Sequence, residues 1–236
     1  MIELCYEDRD LLVCVKPPDC LSEDGPGEGC LPRQLAAQYR AAGKPDFIAG
    51  VHRLDKPVGG LMVFSRRKAV TGKLISAMAE HRVCKEYLAV LRGVPAAPEG
   101  VLRDLLFRDA AKNKTYVVKR MRKGVREAAL AYRVLAVAEG MSLVRIRLYT
   151  GRTHQIRAQF SSRGLPLVGD GRYGGKDPRC GPALWSFHMA LAHPVTGAPL
   201  DFVHRPPDAY PWSCFPAALL RDGSAPLPPE PENASV

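Results

Sequence analysis

Apolar residues recur along this chain mostly at every second position or in short unbroken runs, a pattern that predicts a large sheet with a few helices. Residues 11–15, Leu-Leu-Val-Cys-Val, form an apolar run halted by Lys16-Pro-Pro, and because proline cannot donate to a strand ladder this reads as a buried strand with a defined end. Residues 61–66 predict a second strand and residues 86–92 another. Between them Val70, Leu74, Ala77 and Met78 follow i, i+4, i+7, i+8 spacing, the stripe of an amphipathic helix. Residues 128–137 and 142–149 predict the arms of a hairpin joined across Ala138-Glu-Gly-Met. In the second arm Val144, Ile146 and Leu148 alternate with Arg145, Arg147 and Tyr149, which predicts one polar, available face. Thr153 reads as the N-cap of a short helix through Ser162, with Gly164 near its C-terminal end, Ile156 and Phe160 as buried contacts, and Arg157 one turn from Thr153 on the same face.

A chain of 236 residues can bury one substantial core. We read residues 1–221 as one domain and residues 222–236, rich in Pro and Ala with few apolar anchors, as a mobile tail. The formal charge of +10 points to a polyanionic partner. It is concentrated where Lys112, Lys114, Lys119, Arg120, Arg122, Lys123 and Arg126 follow one another without an acid, over what reads as one hairpin. That stretch is the candidate surface for a polyanion such as RNA, DNA or an anionic membrane, and for a nucleic acid it would supply affinity and little sequence information. No run of about 18 apolar residues and no charged-then-apolar leader is present, so a soluble, cytoplasmic protein without a membrane partner is expected. The seven cysteines are scattered without a Cys-x-x-Cys pair, and the six histidines are as dispersed, which argues against a disulfide framework and a structural metal site. His188 and His193 are close in sequence, but Met189-Ala-Leu-Ala between them reads as strand packing.

The most informative chemistry lies in residues 50–57, Gly-Val-His-Arg-Leu-Asp-Lys-Pro. Asp55 stands between Arg53 and Lys56, cations that favour its ionised form and suit it to act as a nucleophile or electrostatic stabiliser. A surface ion pair in a turn is the alternative reading, since Asp, Gly and Pro favour turns on conformational grounds alone.

The stretch Gly50-Val-His-Arg-Leu-Asp-Lys-Pro-Val-Gly-Gly-Leu-Met-Val-Phe64 resembles the signature of the RluA-like family of RNA pseudouridine synthases, in which an Arg-Leu-Asp tripeptide carries the catalytic aspartate. That family usually continues Thr-Ser-Gly-Leu, where this chain has Val58-Gly59-Gly60-Leu61. Further segments agree in order: Tyr6 to Pro18 with its Lys-Pro turn, Lys85-Glu-Tyr-Leu-Ala-Val-Leu-Arg-Gly93, Thr150-Gly-Arg-Thr-His-Gln-Ile-Arg157, and Gly164-Leu-Pro-Leu-Val-Gly-Asp-Gly-Arg-Tyr-Gly174. The likeness spans most of residues 1–206. It implies an α+β fold, a single mixed, mostly antiparallel sheet flanked by helices and loops.

It also implies isomerisation of uridine to pseudouridine in ribosomal or transfer RNA. Asp55 would be the catalytic carboxylate, Arg157 its ion-pair partner and Tyr87 the residue packed on the target base. Arg53 would hold or replace the flipped nucleotide, with His52 beside it and Lys112 and Lys114 as further substrate contacts. No cofactor is expected, because the reaction rearranges one nucleotide without redox or group transfer. A monomer without an obligatory protein partner is expected, with no room for an appended N-terminal RNA-binding domain of the S4 kind. Two other readings stay open: a noncatalytic RNA-binding or ribosome-assembly homologue, suggested by the altered Val58-Gly59-Gly60 loop, and a base glycosylase that uses Asp55 but releases free base.

Overall fold

The computed structural model describes residues 1–25, 29–220 and 227, so the expected tail at 222–236 lies almost wholly outside the described residues. The elements in chain order are β1 (Leu4–Glu7), β2 (Leu11–Lys16), α1 (Leu31–Ala41), β3 (Ala49–Gly50), β4 (Gly59–Ser65), α2 (Lys68–Ala79), β5 (Cys84–Arg92), β6 (Glu99–Asp109), β7 (Lys114–Val118), β8 (Val125–Ala138), β9 (Met141–Leu148), α3 (Gln155–Ser161), β10 (Leu184–Ala192) and β11 (Pro199–Val203). The α+β class with mostly antiparallel strands and flanking helices is the one the sequence predicts. Two compact units divide the chain: Met1–Lys85 with Ser186–Arg205, and Glu86–Trp185 with the chain from Pro206 onward.

In the first unit the strands run in the order β1-β2-β4-β10, with β3 against β4 and β11 beside β10. All six residues of β2 and all seven of β4 are buried, which is why both read as unbroken apolar runs rather than alternating ones. Leu11 and Val13 of β2, Leu61 and Val63 of β4, and Met189 and Leu191 of β10 form a sheet face on which α2 lays Val70, Leu74 and Ala77, with Met78 at the rim. Full burial of a leucine such as Leu74 contributes about 1.5–3 kcal/mol. Helix α1, which the pattern does not announce, buries Leu31, Leu35 and Tyr39 at i, i+4, i+8. It is tied to the strands by the Tyr39 hydroxyl donating to Glu7 at 2.6 Å and by Gln38 bonding the backbone of Ile2 at 2.8 and 3.2 Å.

In the second unit the order is β5-β9-β8-β6-β7. The predicted hairpin is β8–β9, and its turn is Glu139–Gly140, both at positive φ (51° and 72°), the geometry that matches strand twist in a two-residue loop. Two expectations are corrected here. The face holding Arg145 and Tyr149 is not free, because both side chains are buried and Arg145 pairs with Glu86 of β5. The basic stretch at 112–126 is not one hairpin: β7 pairs with β6, β6 pairs with β8, and the cations are spread over an edge strand, a loop and the start of β8. Strand β6 escapes the pattern because Arg103, Asp104 and Arg108 interrupt its apolar positions.

Gly60 is the glycine that its surroundings demand. Its φ is +113°, and a Cβ there would lie 2.3 Å from the Ser186 carbonyl oxygen and 2.6 Å from the Ser186 nitrogen. Only a residue without a side chain lets β4 start this close to β10. Gly60→Ala is expected to lower the unfolding free energy by about 3 kcal/mol or more, read as a fall in the urea midpoint. An unchanged midpoint would show that the backbone yields at this point.

Candidate active site

The 50–57 segment joins β3 to β4, which pair antiparallel with Gly50 opposite Phe64. Its tip closes through the Val58 N–H donating to the Asp55 carbonyl at 2.9 Å. Both neighbours of Asp55 are fixed by groups from outside the turn. Ser22, itself buried, donates its hydroxyl to the Leu54 carbonyl at 2.8 Å and accepts from the Leu54 N–H at 3.2 Å. The Lys16 amine donates to the carbonyls of Lys56 and Pro17, each at 2.9 Å. Residue 55 is therefore presented from a turn whose backbone is held on either side, the kind of support a reacting group requires.

Lys16 is fully buried, and that burial pushes its pKa down to about 8, while the negative charge available at Cys20, Asp19 and Asp55 works the other way. It remains mainly protonated at neutral pH and is the cation that acts on the turn from within. The sequence marks this position only as the end of a strand before two prolines. A signal is nonetheless present: a lysine that closes an apolar run has little route to solvent.

Arg53 is exposed and its Nη1 lies 2.9 Å from Glu23 Oε1. His52 is engaged differently from its neighbour. Its Nε2 accepts the Val63 N–H at 3.1 Å, so the ring braces the loop against β4. Burial first, and the charge of Lys85 second, push its pKa down to about 3, which keeps the imidazole neutral and deprives it of charge to offer a phosphate.

In the second unit Tyr87 is buried in β5, opposite Ile146 of β9. Helix α3 begins one residue later than expected. Its N-cap is His154, in the left-handed region at φ 55°, and not Thr153, whose carbonyl instead accepts the Thr115 hydroxyl at 2.8 Å. No side chain caps the helix; Gln155, its first residue, instead ties the preceding loop to β8. Its Oε1 accepts from the Thr150 hydroxyl at 2.7 Å and the Arg152 N–H at 3.0 Å, and its Nε2 donates to the Ala129 carbonyl at 3.0 Å. The expected buried contacts, Ile156 and Phe160, are buried.

Arg157 is held from a direction the sequence does not disclose. Its Nε and Nη2 donate to the two carboxylate oxygens of Asp170 at 2.7 and 2.9 Å, a bidentate fork whose side chains are 4% and 1% exposed. The guanidinium also lies over the Tyr173 ring, 5.0 Å from its centre. Asp170 sits in a segment of tight backbone approach, where a Cβ on Gly169 would fall 2.0 Å from the Gly181 carbonyl oxygen and one on Gly175 1.8 Å from that of Leu167. The Gly169-Asp-Gly171 run hints at such a turn, although nothing in it names Arg157 as the partner.

Of the remaining candidates, Lys112 is exposed with Asp109 3.9 Å away, and Lys114 lies 5.1 Å from the centre of the Tyr173 ring. His188 and His193 have separate acids: His188 Nε2 is 3.0 Å from Asp201, and His193 Nε2 is 2.8 Å from Asp8. The other ring nitrogen of His193 accepts the N–H groups of Val195 and Thr196, which commits the imidazole to the protein. All seven cysteines are free thiols. No helix among the described residues is long and apolar enough to cross a membrane.

A family model described as RNA pseudouridylate synthase matches residues 10–162 of the chain. The ribosomal large subunit pseudouridine synthase D of Haemophilus influenzae is 30% identical over 226 residues, spanning 89% of this chain and 68% of that protein. The protein of the same name from Pasteurella multocida is 31% identical over 87% of this chain and 67% of its own length. Among solved structures, human RNA pseudouridylate synthase domain containing 1 superposes with a TM-score of 0.72 at 25% identity, over 88% of this chain and 84% of that one.

Two measurements test the site's physical basis. Asp170→Asn, which leaves the Arg157 charge buried without its fork, is expected to cost about 3–5 kcal/mol of stability. Glu23→Gln, at the exposed pair with Arg53, should cost no more than about 1 kcal/mol. Equal effects in chemical denaturation would contradict the burial argument. For His52, the folded pKa lies below the ordinary value of 6.5, so the unfolded chain takes up the proton first. Its contribution to stability is complete above pH 6.5 and is lost as the pH falls toward 3, with a slope of up to about 1.4 kcal/mol per pH unit. His52→Gln should flatten that part of the stability profile; a profile superimposable on the wild type would assign the acid sensitivity elsewhere.

Proposed function

The chain belongs to the RNA pseudouridylate synthase family, and from that premise we propose that it isomerises uridines in structured ribosomal or transfer RNA with Asp55 as the reacting carboxylate. The observation that carries this reading is the turn at residues 54–56, held on both sides by Ser22 and Lys16 so that it presents one carboxylate. Ribosomal RNA is the favoured substrate, because the relatives from Haemophilus influenzae and Pasteurella multocida carry large-subunit names.

The reaction breaks the bond from uracil N1 to the ribose, turns the base, and rejoins it through C5, so the hydrogen on C5 is the only atom lost. A carboxylate near the anomeric carbon can stabilise positive character there, capture the sugar covalently, or assist elimination to a glycal. Because the target atoms are hidden in stacked RNA, the uridine must first be extruded at a cost of a few kcal/mol. In this reading Tyr87 and Arg157 are the other two catalytic residues, Tyr87 serving the base and Arg157 the charge of the reacting carboxylate. Arg53 fills the space left by the extruded base after exchanging Glu23 for RNA. Lys112 and Lys114 bind phosphate, and His52 supports the loop from beneath.

The test uses ribosomal and transfer RNA labelled with tritium at uridine C5, measuring released tritium and free uracil for the wild type and Asp55→Asn. The wild type is expected to release tritium without free uracil. Asp55→Asn should lose that release by about 10³-fold or more while keeping its fold and RNA affinity. Release unaffected by the substitution would refute the role of Asp55. Free uracil would indicate a glycosylase, and tight binding without any release a noncatalytic binder.

A further inference from the structure

At the β7 edge of the second unit, two rows of residues cross three strands. Tyr116 of β7 lies opposite Phe107 of β6, which lies opposite Val125 of β8, and the next row is Val118, Leu105 and Glu127. Residues directly opposite in a sheet share a face. The other face is accounted for, since Leu106, Val117 and Ala128 pack with Ala158 of α3 and with Tyr173. On the Tyr116 side the rows are buried at Leu105 and Val125 and open at the β7 edge, where Tyr116 is 37% exposed and the neighbouring loop carries Met121 at 57%.

Cations surround this aromatic row. Lys114 Nζ lies 5.5 Å from the centre of the Tyr116 ring, and the Arg122 guanidinium lies 4.7 Å from that of Phe107. Residues 110–126 contain Lys112, Lys114, Lys119, Arg120, Arg122, Lys123 and Arg126 and no acid. Among the described residues, Lys119, Arg120 and Lys123 have no ion-pair partner. A surface of this kind, an outward ring rimmed by unneutralised cations, is complementary to a ligand that offers flat faces and negative charge together.

We propose that the Tyr116 face is a stacking platform for unpaired nucleotides of the RNA substrate, with the 119–123 loop holding their phosphates. This deepens the proposed function and rests on RNA being the substrate. A duplex cannot satisfy the ring, because its base faces are already stacked on one another and it offers only phosphates and hydroxyls. An acidic protein surface would use the cations and leave the ring idle. An unpaired base uses both, and aromatic stacking is indifferent to which base it is.

The two contributions separate experimentally because charge contacts release counterions and stacking does not. The full chain is titrated with a single-stranded RNA of about a dozen mixed-sequence nucleotides and with a duplex of equal length, at several salt concentrations, for the wild type, Tyr116→Ala, Tyr116→Phe and Lys119→Ala. The wild type should prefer the single strand. Tyr116→Ala should weaken single-strand binding about tenfold with the salt slope unchanged, leave duplex binding intact, and be restored by Tyr116→Phe. Lys119→Ala should make the single-strand slope shallower by about 0.7. Wild-type affinity in Tyr116→Ala, or a loss that Tyr116→Phe does not restore, would overturn the platform while leaving RNA binding in place. A wild type that binds neither RNA would overturn the platform together with the functional reading beneath it.

Discussion

The fixing of residues 54 and 56 is the constraint to which much of the first unit answers, and in the proposed reaction a carboxylate that has to meet one carbon of a sugar needs such a backbone. Strand β2 runs buried along its whole length and stops at two prolines, so the amine of its last residue reaches the loop instead of solvent. Ser22 supplies the other clamp by both donating to and accepting from the Leu54 backbone. His52 satisfies a strand N–H at the root of the same loop, and Gly60 allows β4 to depart from it pressed against Ser186. None of these groups need take part in bond breaking. Each removes one way in which the turn could move.

What can be read from the sequence follows from how local the cause is. Strands β2 and β4 are legible because complete burial writes itself as an unbroken apolar run, and α2 because Val70, Leu74 and Ala77 fall on one stripe. Asp55 is singled out as a candidate by a motif. Helix α1 is not, since its stripe of Leu31, Leu35 and Tyr39 is diluted by alanine, glutamine and arginine. Pairings across long sequence separations are the least legible. Arg145 looks like an outward residue on an alternating arm until β5 brings Glu86 to it, and Asp170 and Lys16 acquire their meaning only from partners 13 and 40 residues away. The N-cap of α3 fails for a related reason: a threonine at the expected place is a good cap, but the Thr153 carbonyl is taken by Thr115, 38 residues away, and His154 takes up the left-handed conformation at the cap position.

The cations of this basic chain divide by environment rather than by position. Arg145 and Arg157 are buried and paired with carboxylates, where losing one partner would strand the other. Lys16 is buried too but bonds carbonyls, which fixes backbone without neutralising charge. The cations of 119–123 are exposed and have no ion-pair partner among the described residues, which disposes them to attract a polyanion over distance. Arg53 belongs to neither group, because its exposed pairing with Glu23 is weak enough to exchange for phosphate.

This division bears on how such a chain could select a target. Phosphate contacts fix register and are blind to sequence, and in the proposed reaction Asp55 would address a sugar carbon that every nucleotide possesses. Discrimination must then come from steps whose cost depends on the RNA, and two such steps exist in the proposed scheme: extrusion of the uridine and presentation of unpaired bases to an aromatic face. Both are inexpensive in loops and bulges and expensive in regular helix. Selection would therefore be exercised on RNA shape first and on the identity of the extruded base second, with the basic surface setting how long each candidate site is sampled.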